Sequence, residues 1–167
     1  MNAYPIPVGV PTAYAQSLMF PVGEPNSAYA QYFTGRSWLA SISNEQVSMA
    51  NVTFEPGCIN HWHIHHATRG GEPSFTAMCH DLNIHHATRG GGQMLICVGG
   101  RGYAQTERQE PVAMTPGTVV HIPANTKHWH GAAPGSWFSH IAIDVPGEGK
   151  SNEWLEPVDE TEYAKLK

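Results

Sequence analysis

Short runs of alternating hydrophobic and polar residues, separated by turns rich in glycine and proline, dominate this sequence. The chain contains 17 Gly and 13 Pro, and the apolar runs between them have the length of β-strands. Alternation over four to eight residues, bounded by turn residues, is typical of strands with one buried face. Strands are predicted at residues 37–42, 46–54, 60–66, 93–98, 102–105, 118–122, 127–132 and 136–144. The pattern predicts an all-β sandwich or barrel.

The two ends of the chain differ from this middle part. Residues 1–30 carry five of the prolines, which predicts an extended arm that crosses the barrel or a neighbouring subunit, with a disordered tail as the alternative. Near the other end, Asp159 precedes two glutamates and a lysine follows, the charge order of a short helix. We therefore predict an N-terminal arm at 1–30, one barrel domain at 31–150, and a C-terminal tail with a short helix at 151–167.

A perfect repeat interrupts the barrel region. The octapeptide IHHATRGG at residues 64–71 recurs at 84–91, and removing any 20-residue window between the matching ends leaves the same collapsed sequence. The repeat therefore predicts an insertion, near residues 66–92, into a turn that existed before it. Connections between strands are usually two to five residues long, so this one is exceptional. Three explanations of this long connection are left open by the sequence: a functional lid, a disordered excursion and a sequence artefact.

The composition of the chain limits which binding partners and which cellular compartment we expect. Charged residues make up 14% of the chain and the net charge is -5, so the basic face of a nucleic-acid-binding protein is missing and an anionic membrane surface is not expected as a partner. The three cysteines have no paired spacing, which favours a reducing compartment. We find neither a signal peptide nor an apolar run of membrane-spanning length. A cytoplasmic protein is predicted.

Histidines supply the chemistry. Because residues two apart on a strand point to the same face, His61, His63 and His65 share one surface, and His128 and His130 share a surface on a later strand. Three imidazoles on one strand face, with more on a second strand, are the donors of a transition-metal site.

The spacing of these residues resembles a known pair of motifs. Five residues separate Gly57 from His63, six separate Gln93 from Gly100, and a Pro-Gly turn precedes a second group that ends at His128. This resembles the two signature motifs of the cupin superfamily, which implies a double-stranded β-helix, or jelly-roll, barrel. The resemblance implies a divalent metal held by His63, His65 and His128, with Gln93 where most cupins have glutamate.

The sequence departs from those motifs in several places. Gln93 is neutral, and it lies farther from His65 than the motif usually allows. Asn125 stands where glycine is usual, and asparagine tolerates a left-handed backbone. Two rival ligands are therefore open: Glu72 as a substitute carboxylate, and His85 of the second repeat, where Asn83 occupies the position equivalent to His63.

The second histidine motif continues into GAAP, and His140 follows on the next predicted strand. This sequence pattern resembles that of small cupins related to bacterial hydroxynitrile lyases. It also resembles that of cupins joined to carboxymuconolactone-decarboxylase-like domains. The resemblance implies one divalent metal, Mn or Fe in preference to Zn, Ni or Co, and a lyase acting on a hydroxylated or carbonyl small molecule.

A neutral imidazole has a suitable pKa for moving a substrate proton. His130 and His140 are the predicted acid/base or substrate-orienting residues. A metal-dependent dioxygenase and a non-catalytic ligand-binding cupin are the alternatives, and a homodimer is expected.

Overall fold

The computed structural model of the protein describes residues 4–70 and 90–166. Two short α-helices and a 3-10 helix accompany fifteen strands in these ranges. The helices are α1 (Thr12–Ser17), the 3-10 helix (Ser27–Tyr32) and α2 (Glu160–Tyr163). The strands are β1 (Glu24–Pro25), β2 (Phe33–Thr34), β3 (Ser37–Ser43), β4 (Ser48–Phe54), β5 (Ile59–Asn60), β6 (His63–His66), β7 (Arg69–Gly70), β8 (Gln93–Gly100), β9 (Gly102–Thr106), β10 (Val112–Met114), β11 (Val119–Ile122), β12 (His128–Ala132), β13 (Phe138–Asp144), β14 (Gly147–Glu148) and β15 (Ser151–Trp154).

The strands form two large antiparallel sheets. The six-stranded sheet has the order β1-β3-β4-β13-β8-β11. The seven-stranded sheet has the order β10-β9-β12-β5-β2, and β6 joins it by pairing with both β12 and β15. A small third sheet pairs β7 with β14. The predicted all-β class is confirmed.

Alternation along the strands builds the core between the sheets. In β8 every second residue is buried, beginning with Gln93 and continuing through Leu95 and Cys97. Leu95 and Cys97 belong to an apolar cluster with Phe54 and Phe138. Cys58 and Cys97 are buried free thiols, as expected for cysteines that act as small hydrophobes.

The eight predicted strands are present with small shifts of their ends, and one of them is divided. The predicted strand at 60–66 is broken into β5 and β6, so Asn60 and His63 lie on separate short strands. Several strands of two to four residues were missed because they are too short to show a period. One of them, β15, falls in the predicted tail but pairs with β6 along its whole length, from Ser151 opposite His66 to Trp154 opposite His63.

The N-terminal arm packs along the six-stranded sheet. Its residues Val10, Leu18 and Val22 are buried against Trp38, and the Asn51 side-chain amide donates to the Pro21 carbonyl over 2.8 Å. We predicted an extended arm. The structure differs at residues 12–17, which form α1.

The predicted C-terminal helix is present as α2. The Asp159 side chain caps it by accepting hydrogen bonds from the backbone amides of Thr161 and Glu162. Among the described residues, no helix is long and apolar enough to cross a membrane.

The two ends of the long connection lie next to each other. A Cβ atom added at Gly91 would lie 2.3 Å from the Ala67 Cβ. The segment after β13 binds both ends, because Thr68 N–H donates to the Glu148 carbonyl and Gly91 N–H donates to the Pro146 carbonyl, each over 2.9 Å. Residues 71–89, and with them the rival ligands Glu72 and His85, lie outside the described part of the chain.

Candidate metal centre

Three histidines from two strands converge between the sheets. His63 and His65 lie on the same face of β6, and His128 begins β12 directly opposite His63 in the antiparallel register. One ring nitrogen from each of the three lies within 4.8 Å of the others. The ring centroids of His63 and His128 are 4.1 Å apart. The structure thus brings together the three histidines that the sequence motifs selected.

Backbone carbonyls hold two of these rings in place. The Nδ1–H of His63 donates to the His61 carbonyl over 2.9 Å, and the Nδ1–H of His128 donates to the Thr126 carbonyl over 2.8 Å. Because a carbonyl oxygen only accepts, each ring must carry its proton on Nδ1 and leave Nε2 with a free lone pair. Metal-binding histidines are usually oriented by a second hydrogen bond of this kind.

Several buried polar atoms at this place lack a partner among the described residues. They are His65 Nδ1, His128 Nε2 and Gln93 Oε1. Leaving a buried donor or acceptor unpaired costs about 1–3 kcal/mol. Two imidazole nitrogens and one amide oxygen that face no protein partner are a donor set that fits a divalent transition metal.

Burial keeps the imidazoles uncharged. It lowers the pKa of His63 well below the usual 6.5, and the neighbouring His128 lowers it further. Burial also lowers the pKa of His65, and it lowers the pKa of His128 to about 4. The rings are therefore neutral at pH 7, which is the form that binds metal ions.

A second histidine pair lies beside the first group. His130 of β12 and His140 of β13 come from opposite sheets, and His140 Nε2 lies 3.0 Å from His130 Nδ1. Burial lowers the pKa of His140 to about 4 and lowers the pKa of His130 as well. The Asn60 side chain accepts the His130 backbone N–H over 2.9 Å, and its Nδ2 lies 3.1 Å from His130 Nε2.

A cavity of about 290 Å³ gives access to both groups. Its wall includes His63, His65, Gln93 and His130. His140 does not line the cavity, and it contacts His130, which does. The predicted metal-binding residues and the predicted acid/base residues thus lie close together, and His130 lines the cavity beside them.

One side of the cavity is aromatic. Tyr29, Phe33 and Trp154 line it, and Trp154 stacks on Tyr32 with ring centroids 4.5 Å apart and planes at 3°. The wall of the cavity also includes Asp144, whose carboxylate is paired with Lys150.

Sequence reasoning missed Trp154, Tyr29 and Asn60 as site residues. Trp154 and Tyr29 lie in segments that it had assigned to the tail and the arm. Asn60 stands at the start of a predicted strand, with nothing to mark its side chain.

The remaining histidines with described side chains do not line the cavity. His61 contributes its backbone carbonyl to the centre, His121 is exposed, and His66 forms a partly exposed pair with Glu153.

The chain resembles known proteins in sequence and in fold. No protein-family model matches the chain. The chain is 34% identical over 119 residues to an (R)-mandelonitrile lyase of Granulicella tundricola, a match that covers 71% of this chain and 72% of that protein. A crystal structure of a cupin-like protein from Thermotoga maritima superposes with a TM-score of 0.66 and 31% identity over 89% of this chain and 96% of the other. A cupin-2 domain from Rhodospirillum rubrum shares the fold at a TM-score of 0.50 and 15% identity, over 80% of this chain and 72% of that one.

Proposed function

The chain belongs to the cupin superfamily, and from this premise we propose that it is a metal-dependent lyase that cleaves, and in reverse forms, a cyanohydrin of an aromatic aldehyde. The observation that carries the proposal is the buried His130–His140 pair, which lies beside a set of metal donors and whose His130 lines a cavity of small-molecule size. The relationship to a mandelonitrile lyase supports the choice of reaction.

Four residues would hold the metal: His63, His65, Gln93 and His128. Imidazole nitrogens with an amide oxygen suit Mn, Fe, Co, Ni or Zn, and we propose Mn or Fe. A divalent metal bound there supplies Lewis acidity, which stabilises negative charge that develops on a substrate oxygen. The donor set is uncharged, so it would offset less of the ion's positive charge than a set that includes a carboxylate.

His130 is the proposed proton carrier. Its ring is neutral at pH 7 because burial lowers its pKa, so it can accept the hydroxyl proton of a cyanohydrin. The bond between the hydroxyl carbon and the nitrile carbon then breaks, and its electron pair leaves with cyanide. The protonated His130 returns the proton to cyanide, and the products are an aldehyde and hydrogen cyanide.

His140 is the proposed orienting partner of His130. Its Nε2 lies 3.0 Å from His130 Nδ1, so it fixes the ring and shares the positive charge while His130 carries the extra proton. Asn60 holds the backbone of His130 from the other side. The other ring nitrogen of His130, Nε2, lies 3.1 Å from Asn60 Nδ2, so a substrate hydroxyl replaces the Asn60 amide there when it binds.

The aromatic side of the cavity defines the proposed substrate class. Tyr29, Phe33 and Trp154 line the space next to the metal donors. Aromatic rings pack well in offset or edge-to-face arrangements against such surfaces. We therefore expect an aryl cyanohydrin to bind better than an alkyl one.

The test is mandelonitrile cleavage by metal-loaded protein, followed as benzaldehyde release, in wild type, His130→Gln and His61→Gln. The His61 side chain does not line the cavity, so His61→Gln is the matched control. We expect His130→Gln to lose about 10²–10⁴-fold in kcat while metal content stays at the wild-type level, and His61→Gln to keep full activity.

Full activity in His130→Gln would contradict the role of His130. A wild-type protein that binds metal but releases no aldehyde would contradict the lyase assignment. Oxygen uptake with an aromatic substrate would then indicate the dioxygenase alternative, and substrate binding without turnover would indicate a binding protein.

A further inference from the structure

The strand that carries His63 and His65 has little support on its β12 side. Among the described residues, the ladder between β6 and β12 consists of the single pair His63–His128. Beyond that pair, β6 runs through His65 toward the ends of the long connection. Something other than the sheet must hold His65 on this side.

Asn125, in the turn between β11 and β12, makes the missing contacts. Its backbone N–H donates to the His65 carbonyl over 2.9 Å. Its side-chain Nδ2 donates to the Ala67 carbonyl over 2.9 Å, and its Oδ1 accepts the Ala67 N–H over 3.3 Å. The same Oδ1 lies 3.0 Å from His66 Nδ1. One asparagine thus binds three consecutive residues at the end of β6.

The backbone of Asn125 shows why this residue type suits the turn. Its φ is 63°, in the left-handed region that glycine enters without strain. Asparagine tolerates this region better than most residues, and it adds a side chain that glycine lacks. The same turn approaches the far end of the connection, because a Cβ added at Gly91 would lie 3.3 Å from the Ala124 Cβ.

We propose that Asn125 is a positioning residue of the metal centre: its side chain fixes the end of β6 so that His65 meets His128 despite the insertion that follows. Two residues separate Asn125 from His128, so one short segment bears both the positioning residue and a proposed ligand. The inference rests on the proposed metal centre.

The test is Co²⁺ binding by the full chain, measured by competition with a chromophoric chelator, together with the d–d absorption spectrum of the bound Co²⁺. The variant is Asn125→Gly, which keeps the left-handed backbone and removes only the side chain. Arg108→Gly is the matched control, since Arg108 is the other described non-glycine residue with positive φ, at 64°, and lies in the exposed turn after β9.

We expect Asn125→Gly to raise the Co²⁺ dissociation constant about 10-fold, as loss of an outer contact of a metal ligand usually does, and to change the d–d spectrum. The melting temperature of the metal-free variant should match that of Arg108→Gly. Arg108→Gly should bind Co²⁺ like wild type. Asn125→Ser, whose side chain is too short to reach Ala67, should behave like Asn125→Gly.

Wild-type affinity and spectrum in Asn125→Gly would overturn the inference while leaving the metal centre intact. A loss of affinity that is matched by a fall in the melting temperature of the metal-free protein would also overturn it, because it would indicate a general structural role. Absence of Co²⁺ binding by wild type would overturn the proposed metal centre, and this inference with it.

Discussion

Replacing Gln93 by methionine should change the stability of the metal-free and metal-bound protein in opposite directions. Gln93 is 8% exposed, and its Oε1 has no partner among the described residues. Methionine has nearly the same length and carries no atom that needs a hydrogen bond. In metal-free protein the substitution therefore removes the cost of an unpaired buried oxygen.

The magnitudes follow from that unpaired atom. Relief of its desolvation cost should stabilise metal-free Gln93→Met by about 1 kcal/mol, which raises the melting temperature of a domain of this size by about 3 °C. With metal at 100 times the dissociation constant, binding stabilises wild type by about 2.7 kcal/mol. If loss of the Gln93 ligand weakens metal affinity about 100-fold, the variant loses nearly all of this metal-dependent stabilisation. The metal-bound variant should then be less stable than metal-bound wild type by about 1 kcal/mol.

The assay is thermal unfolding with saturating Mn²⁺ and with a chelator, and Gln105→Met is the matched control. The Gln105 Oε1 accepts a hydrogen bond from the Trp129 indole N–H over 2.7 Å, so its loss should destabilise both forms equally. Gln93 would not be a metal ligand if Gln93→Met destabilised the metal-free protein. The same would follow if Mn²⁺ raised the melting temperature equally in Gln93→Met and wild type.

Two further predictions concern the cavity and the insertion. Trp154→Leu should lower kcat/KM for mandelonitrile more than for an aliphatic cyanohydrin, because it removes an aromatic ring that lines the cavity. Trp62→Leu, which alters a tryptophan packed on Trp129 instead, is the control, and equal ratios in the two variants would count against the aryl subsite. Deletion of residues 71–90 should leave metal content and melting temperature unchanged, because Ala67 and Gly91 already lie side by side. Loss of bound metal in a folded deletion variant, measured by elemental analysis, would show that the centre depends on the insertion.

Local patterns were sufficient for much of the fold. Alternation places Gln93, Leu95 and Cys97 on one buried face of β8, and that face can be deduced from the sequence because side-chain direction reverses at every residue of a strand. The helix cap at Asp159 is likewise a local hydrogen-bond pattern. The arm was harder to predict, because α1 contributes no buried residue of its own and leaves only a weak periodic signal.

The histidine centre was predictable in part. His63 and His65 share a face by their spacing alone, and the resemblance to cupin motifs added His128 and Gln93. Their convergence needs the antiparallel register that sets His128 opposite His63. Register depends on pairing between residues far apart in the chain, so no local pattern contains it.

The sequence by itself determined the strand faces and the all-β class, because each follows from residues a few positions apart, and its resemblance to the cupin motifs supplied the metal-binding candidates. Only the tertiary structure decided that His140 contacts His130, that Trp154 from the C-terminal segment lines the cavity, and that Asn125 binds the end of β6. These contacts join residues that are far apart in the chain: His130 and His140 are 10 positions apart, and Trp154 and His63 are 91 positions apart. The physical reason is that such distances are set by how the sheets pack, and packing is a property of the whole folded chain.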